Sequence, residues 1–271
     1  MRFRLATWNI NSVRLRLDLV RRFVRAERPD LLCLQEIKCI EGSFPLRELR
    51  ALGFPYIAVA GQKGYHGVAT LSRIPFTLKE RRDICGRGHA RHLSIALDGA
   101  GVKPLLLHNV YVPAGGDIPD PALNDRFRHK LEFLEALAAW FGEMRGKSKS
   151  RMIMVGDLNV APLPTDVWSH RQLLKVVSHT PAEVERLERV QASHDWVDVM
   201  RRHVPADQKL FTWWSYRNRD WRASNRGRRL DHIWVTPRLD GAARAMTVLD
   251  KARDWPRTSD HVPVIADFIF E

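Results

Sequence analysis

Cysteine is scarce in this 271-residue chain: Cys33, Cys39 and Cys85 are the only three, and none forms a CxxC pair. An odd count without metal-type spacing argues against a disulfide-stapled scaffold and a structural zinc site, and suits a reducing compartment. Long hydrophobic runs are missing too. No apolar stretch approaches the roughly 18 residues of a membrane-spanning helix, and the N-terminal MRFRLATWNI has neither a long apolar core nor a cleavage signature. The expectation is a soluble, cytoplasmic protein. Short repeats and low-complexity tracts are absent, which excludes solenoids and disordered arrays. Acidic residues are in deficit, with 31 Asp plus Glu against 44 Lys plus Arg, a net charge of +13. Such an excess favours a polyanionic partner, nucleic acid or an anionic membrane surface.

What is present is a sizeable apolar fraction, 45%, in a chain long enough for one large α/β domain. Strand-like runs fall at Phe3–Ile10, Asp30–Gln35, Gly67–Ser72, His92–Leu97 and Leu105–Val112, then at Arg151–Leu158, Arg229–Thr236 and Val264–Phe270. Val13, Leu17, Val20 and Val24 recur at helical spacing, with Ser12 as the expected N-cap and Pro29 as the stop. A second helix is expected from Pro121, with Leu123, Phe127, Leu131, Leu134, Ala138 and Phe141 along one stripe. Further helices are expected over Pro181–Gln191 and Asp195–Arg202, and the basic loop Arg145–Arg151 reads as a solvated hinge. Strands outnumber helices, so the pattern implies packed sheets with outer helices in one domain, 1–271.

The strands end in polar groups. Met152–Val155 is an apolar run that passes through Gly156 into Asp157 and Asn159, which strand alternation would place on one face. The first strand closes with Asn9 and Asn11, the second with Glu36, and LLLHNVYVP offers Asn109 and Tyr111. Asp231 lies within an apolar strand, where Arg229 could pair with it, and Asp260 and His261 precede the last strand. Singly, each is a turn residue or a local ion pair. Together they put several carboxylates at the strand ends, where sheets place active sites.

The segments LCLQEIKC, NVYVP, VGDLN, RLDHIWV and SDHVPV, in this order and spacing, resemble the exonuclease III family of apurinic/apyrimidinic endonucleases. That family belongs to the endonuclease–exonuclease–phosphatase superfamily, and the resemblance runs from Phe3 to Phe268. QKGYHGVATLSR also looks like the nucleic-acid branch rather than the lipid one. The resemblance implies a four-layer α-β-β-α sandwich of two facing mixed sheets, DNase I-like. It implies a Mg²⁺ site, with Mn²⁺ as an alternative, on Glu36 with Asn9 or Asn11 nearby and Asp260 through water. An oxygen donor set of this kind suits a hard cation. Asp157 would then orient or deprotonate the attacking water, and Asn159 would hold the water or a phosphate oxygen. His261, kept cationic by Asp231, would bond a non-bridging oxygen, and Tyr111 would donate to the phosphate or help the leaving group.

From Trp213 to Arg229 the chain reads WWSYRNRDWRASNRGRR, arginines interleaved with aromatics, a pattern that suits phosphate contact and stacking. The resemblance makes this the pocket for a flipped abasic deoxyribose, with Trp213, Tyr216, Arg217, Arg226, Arg228 and Leu230 as DNA-binding residues. Of Trp213 and Trp214, at least one is expected in the core. Three positions depart from the family pattern: Ala114 where relatives carry Asn or Gln, Arg228 where they carry an apolar or aromatic residue, and Asp117 where some carry an intercalating Arg. The expected activity is incision 5′ to abasic sites with 3′→5′ trimming of double-stranded DNA by a monomer. The competing readings are a phosphatase or sphingomyelinase of the same superfamily and a non-catalytic DNA-binding module.

Overall fold

The computed structural model describes residues 1–97, 104–145, 151–218 and 220–270. Of the expected hinge Arg145–Arg151, residues 146–150 lie outside that set, as does Arg219. In chain order the elements are β1 (Arg2–Asn9), α1 (Leu17–Glu27), β2 (Leu31–Gln35), α2 (Leu46–Ala51), β3 (Tyr56–Ala60), β4 (Val68–Ser72), β5 (Phe76–Glu80), β6 (His92–Leu97) and β7 (Leu105–Tyr111). There follow α3 (Asp125–Arg145), β8 (Arg151–Asp157), α4 (His170–Leu173), α5 (Pro181–Ser193), β9 (Val197–Asp198), α6 (Val199–His203) and β10 (Trp213–Trp214). The chain closes with α7 (Trp221–Ser224), β11 (Gly227–Arg228), β12 (Asp231–Val235), β13 (Ala243–Val248) and β14 (Val264–Ile269).

Two six-stranded sheets result, in the orders β13-β14-β1-β2-β4-β3 and β5-β6-β7-β8-β12-β9. Both are mixed. The parallel pairs, β1 with β2 and β7 with β8, are those whose connections run through α1 and α3, because parallel neighbours need a crossover. Alternation sorts each strand into two cores. From β1, Phe3 and Leu5 face Leu93, Ile95, Ile153, Val155 and Ile233 between the sheets. Ala6 and Trp8 face outward against Val20, Phe23 and Val24 of α1. On the far side Phe133, Leu134, Leu137 and Phe141 of α3, with Leu187 and Val190 of α5, cover Met152 and Met154 of β8. These are the four layers expected, α-β-β-α.

Boundaries differ from expectation where local chemistry decides. Ser12 is not the N-cap of α1: it lies in a turn with φ +85°, its carbonyl takes the Arg16 N–H, and the helix begins at Leu17. The C-terminus does fall before Pro29, with Arg28 left-handed at φ +48° and its N–H on Val24. The second helix begins at Asp125, not Pro121, and Leu123 is 76% exposed outside it. Over Asp195–Arg202, residues 197–198 join β12 as β9, and the helix starts only at Val199, where Asp198 caps the Arg201 N–H. Among the described residues no helix is long and apolar enough to cross a membrane.

Beneath the strand ends the two sheets are braced by polar groups. Gln35 donates to Thr7 Oγ1 (3.0 Å) and Asn109 Oδ1 (2.8 Å), and Asn109 donates to the Ala69 carbonyl (2.9 Å). Asn109 therefore ties sheet to sheet and is not part of the site. In the outer layer of the second sheet, His92 and His108 meet at 3.1 Å with the Trp140 ring edge-on to both. Burial pushes His108 down to about 3 and His92 well below its ordinary range. Both stay neutral in the fold, whereas the unfolded chain takes up their protons near pH 6.5, so stability is full above that pH and declines as pH falls toward 3. Each histidine contributes a slope of about 1.4 kcal/mol per pH unit. The denaturation midpoint should fall between pH 6.5 and 5, and less steeply in a His92→Leu/His108→Leu double variant. An equally steep decline in that variant would contradict the assignment.

Candidate active site

Strand register assembles the site. Tyr111 lies opposite Asp157 across β7 and β8, and Asp157 lies opposite Asp231 across β8 and β12, so three polar side chains stand in a row on one sheet. On the facing sheet Asn9 ends β1, Glu36 follows β2, and the segment before β14 brings in Asp260 and His261. Gly156 makes the row possible: its φ is +141°, and a Cβ there would collide with the Val110 carbonyl of the neighbouring strand. Asn11, Glu36 and Asn159 have φ of +47°, +49° and +54°, so backbone strain gathers where the chemistry is.

Asp157 and Asn159 do meet, but not by strand alternation. β8 stops at Asp157, and the left-handed turn folds Asn159 back so that its backbone N–H bonds Asp157 Oδ1 (2.9 Å) and its amide bonds Oδ2 (3.0 Å). Asn9 donates to the same Oδ2 (2.8 Å) and to Glu36 Oε1 (2.9 Å), which also accepts the Tyr111 hydroxyl (2.9 Å). His261 bonds Asp231 Oδ2 through Nδ1 (2.8 Å) and points Nε2 at Asp157 Oδ2, 3.6 Å away. Arg229 does not pair with Asp231 as the sequence allowed; it is buried between Asp166 and Asp198.

Burial would favour a neutral His261, but Asp231 and Asp157 outweigh it and raise the imidazole to about 10, so the ring is cationic at neutral pH. Asp157 is pushed up to about 7 by burial, against the pull of His261. For Glu36 burial also acts upward, yet the Lys38 ammonium and the Asn9 amide leave it below the usual carboxylate range. Tyr111 is raised well above the ordinary phenol range by burial and Glu36, and so remains a neutral donor.

Of the expected metal ligands, Glu36 and Asn11 aim oxygens at one point: Lys38 Nζ lies 2.8 Å from Glu36 Oε2 and 2.6 Å from Asn11 Oδ1. A cation-sized centre already holds this oxygen pair together, and a hard divalent ion suits the same donors. Asp260 joins them through Asn11 (3.1 Å) while Trp213 Nε1 holds its other oxygen (2.9 Å). Asn9 is oriented as a donor bridging two carboxylates, and its own carbonyl takes the Asn11 N–H (3.1 Å). Among the described residues the ligand atoms of Asp157, Asp231 and His261 also lie within 4.8 Å of one another. A protonated imidazole has no lone pair to give, so the positive charge in that trio is His261 itself.

Lys38 escaped the sequence reading, although QEIK places it two positions after Glu36. So did Lys130 and Glu183, a fully buried ion pair (2.5 Å) in which Lys130 also donates to the Asn159 carbonyl (2.7 Å). Glu183 in turn accepts the Ser178 and Thr180 N–H groups. Removing one partner strands a buried charge, so Glu183→Gln should cost about 3–5 kcal/mol in chemical denaturation. A shift under about 1 kcal/mol would show that the pair is not holding the Asn159 turn.

A cleft of about 640 Å³ opens beside these groups, lined by Glu36, Asn159, Asp260 and His261 on one side and by Trp168, Trp213, Arg228 and Leu230 on the other. Trp213 is half-buried, Trp214 is core, and Leu230 is buried at the cleft wall. Arg217 is exposed at the rim, and Arg226 lies over Trp168 at 4.8 Å. Tyr216 is exposed on its ring, with its hydroxyl on the Thr258 carbonyl and taking Arg16 and Asn11. Arg222 and Arg229 do not face the cleft: Asp254 holds the first, and Asp166 with Asp198 the second. Ala114 and Asp117 also line the cleft.

A four-layer sandwich carrying carboxylates, amides and an imidazolium at the seam of its sheets has the groups that metal-dependent phosphoester hydrolysis requires. Residues 6–261 match the Endonuclease/Exonuclease/phosphatase family, and the chain belongs to it. It is 28% identical over 269 residues to exodeoxyribonuclease III of Haemophilus influenzae, covering 97% of this chain and 98% of that one. Among solved structures, it resembles an AP endonuclease from Archaeoglobus fulgidus (TM-score 0.88, 28% identity, 99% and 100% coverage). It also resembles a 3′ phosphatase from Neisseria bound to a product DNA hairpin (TM-score 0.88, 26% identity, 99% and 100% coverage).

Proposed function

We propose that the protein is a Mg²⁺-dependent DNA-repair phosphodiesterase that cuts duplex DNA 5′ to abasic sites and trims 3′ ends. The observation that carries this reading is Asp157, buried and gripped by Asn9 and Asn159 beside a cationic His261, with Asn159 and His261 facing an aromatic- and arginine-lined cleft. The net charge of +13 and the nuclease relatives support a DNA substrate. Free thiols at Cys33, Cys39 and Cys85 fit a cytoplasmic enzyme.

Glu36 and Asn11 would hold the metal, with Asp260 through water, and Asn9 positions Glu36 and Asp157. Bound Mg²⁺ supplies positive charge to the phosphate as its own charge grows in the transition state. Asp157 takes the proton of the attacking water, for which a pKa raised toward neutrality is suited. Asn159 orients that water or a phosphate oxygen. His261 donates from Nε2 to a non-bridging oxygen, its charge secured by Asp231 at Nδ1. Tyr111, a neutral donor whose hydroxyl rests on Glu36 Oε1, would offer that hydrogen bond to a phosphate oxygen.

Incubation with an abasic-site duplex, an undamaged duplex with recessed 3′ ends, and inositol phosphates, each with and without EDTA, tests the reading. Metal-dependent cutting of the two DNAs alone is expected. Hydrolysis of inositol phosphates would assign a superfamily phosphatase, and tight DNA binding without cutting a non-catalytic module.

A further inference from the structure

Among the described arginines of its segment, Arg228 stands apart in being half-buried without a carboxylate, whereas Arg217 and Arg226 are exposed. Arg222 and Arg229 are each neutralised by carboxylates. Arg228 is half-buried, its Nη1 bonds two neutral acceptors, the Val177 carbonyl (2.8 Å) and Ser178 Oγ (2.7 Å), and its Nε is buried without a partner. No carboxylate lies within ion-pair distance of it among the described residues. The guanidinium packs over Trp213 at 5.2 Å, and Ser178 is fixed from behind by Glu183, so the charge is held in place at the cleft wall. Of the carboxylates lining the cleft, Glu36 is engaged by Lys38, Asn9 and Tyr111 and Asp260 by Trp213 and Asn11, while Asp117 is exposed to solvent.

A desolvated cation with only neutral partners gains most from a ligand that brings the opposite charge. The neutral sugar of an internal abasic site offers only its anomeric hydroxyl and ring oxygen. Resting on the function proposed above, we propose that Arg228 makes this pocket selective for a small anionic fragment, a carboxylate carried on a 3′-terminal phosphate, over the neutral sugar of an internal abasic site. The apolar wall of Leu173, Val176, Val177 and Leu230 accommodates the short carbon chain while Arg228 meets the carboxylate. The reaction is the same hydrolysis. Water oxygen bonds to phosphorus, the bond from phosphorus to the strand's 3′ oxygen breaks, and that oxygen takes a proton. The phosphate departs with the fragment still esterified to it.

The test compares three duplexes: one with a gap ending in 3′-phosphoglycolate, one ending in 3′-phosphate, whose removal leaves this pocket empty, and one with an internal tetrahydrofuran abasic analogue. Wild-type protein and the Arg228→Leu and Arg228→Lys variants are assayed, with thermal midpoints as a check on folding. Arg228→Leu should lower the ratio of phosphoglycolate to 3′-phosphate kcat/KM by about 10- to 100-fold. The ratio of phosphoglycolate to tetrahydrofuran should fall at least as far, and Arg228→Lys should recover part of both. Equal changes on all three substrates would overturn the proposal, leaving Arg228 a structural or general basic residue. A loss confined to tetrahydrofuran would overturn it in favour of a grip on the phosphate flanking the lesion. A wild type inactive on all three would overturn the function proposed above and this inference with it.

Discussion

Asp157→Asn should lower turnover on abasic-site DNA by about 10²- to 10⁴-fold while affinity for uncut DNA holds or rises. The substitution keeps size and planarity, and the Asn159 backbone N–H can still find an oxygen at 2.9 Å. What disappears is the base. Asn9 and Asn159 both donate to the carboxylate Oδ2, so the orientation that keeps an oxygen for the Asn159 N–H sets the new amide nitrogen against both donors. His261 keeps its cation through Asp231, but loses the second carboxylate that helps to raise it. Removing a negative charge that faces phosphate weakens repulsion toward DNA, hence the steady or tighter binding. Single-turnover rates and gel-shift affinities on one duplex separate the two effects. A variant that binds poorly and turns over normally would contradict the role of Asp157.

Glu36→Gln should raise the Mg²⁺ concentration for half-maximal activity by about 10²-fold or more, with the fold intact. Glu36 is the carboxylate on which Lys38, Asn9 and Tyr111 all converge, and burial without those partners would favour its neutral form. A glutamine preserves the shape of this junction but gives up the charge that draws a divalent ion. Lys38 then loses its ion pair and, left beside Asn11, adds repulsion toward any incoming cation. Mg²⁺ titrations of turnover, with calorimetric Mg²⁺ binding on the same protein, measure it. Unaltered metal dependence would move the site away from Glu36.

The central strands, the outer helices and the end-of-strand clustering could be read from the chain because each rests on short-range pattern. Apolar runs of four or five residues mark central strands buried on both faces, whereas the parallel pairing of β1 with β2 and of β7 with β8 emerges only in the fold. β5 and β13 escaped for the same reason in reverse. They are edge strands, mostly exposed, so little periodicity is written into FTLKE or ARAMTV. The catalytic groups were legible as residue types at strand ends, and the resemblance ordered them. Their bonding was not. Asn9 is a donor bridge because Glu36 and Asp157 arrive from opposite sheets, 27 and 148 positions away. Charged pairs were misjudged in the same manner. Lys130 and Glu183 look like helix-surface residues until α3 and α5 pack, and the partner of Arg229 is Asp166, 63 residues earlier. The environment of Arg228 likewise depends on Val177 and Ser178, about 50 positions upstream.

Asp157, Asn159, His261 and the Glu36 oxygen cluster are expected to act together on the phosphodiester 5′ to a sugar flipped into the adjoining cleft. Mapping the products of a duplex with one tetrahydrofuran site at single-nucleotide resolution, in Mg²⁺ and again after EDTA, tests it most directly. The first cut is expected immediately 5′ to the site, leaving a 3′-hydroxyl, abolished by EDTA and restored by Mg²⁺. A cut 3′ to the site, or an equal yield in EDTA, would contradict it.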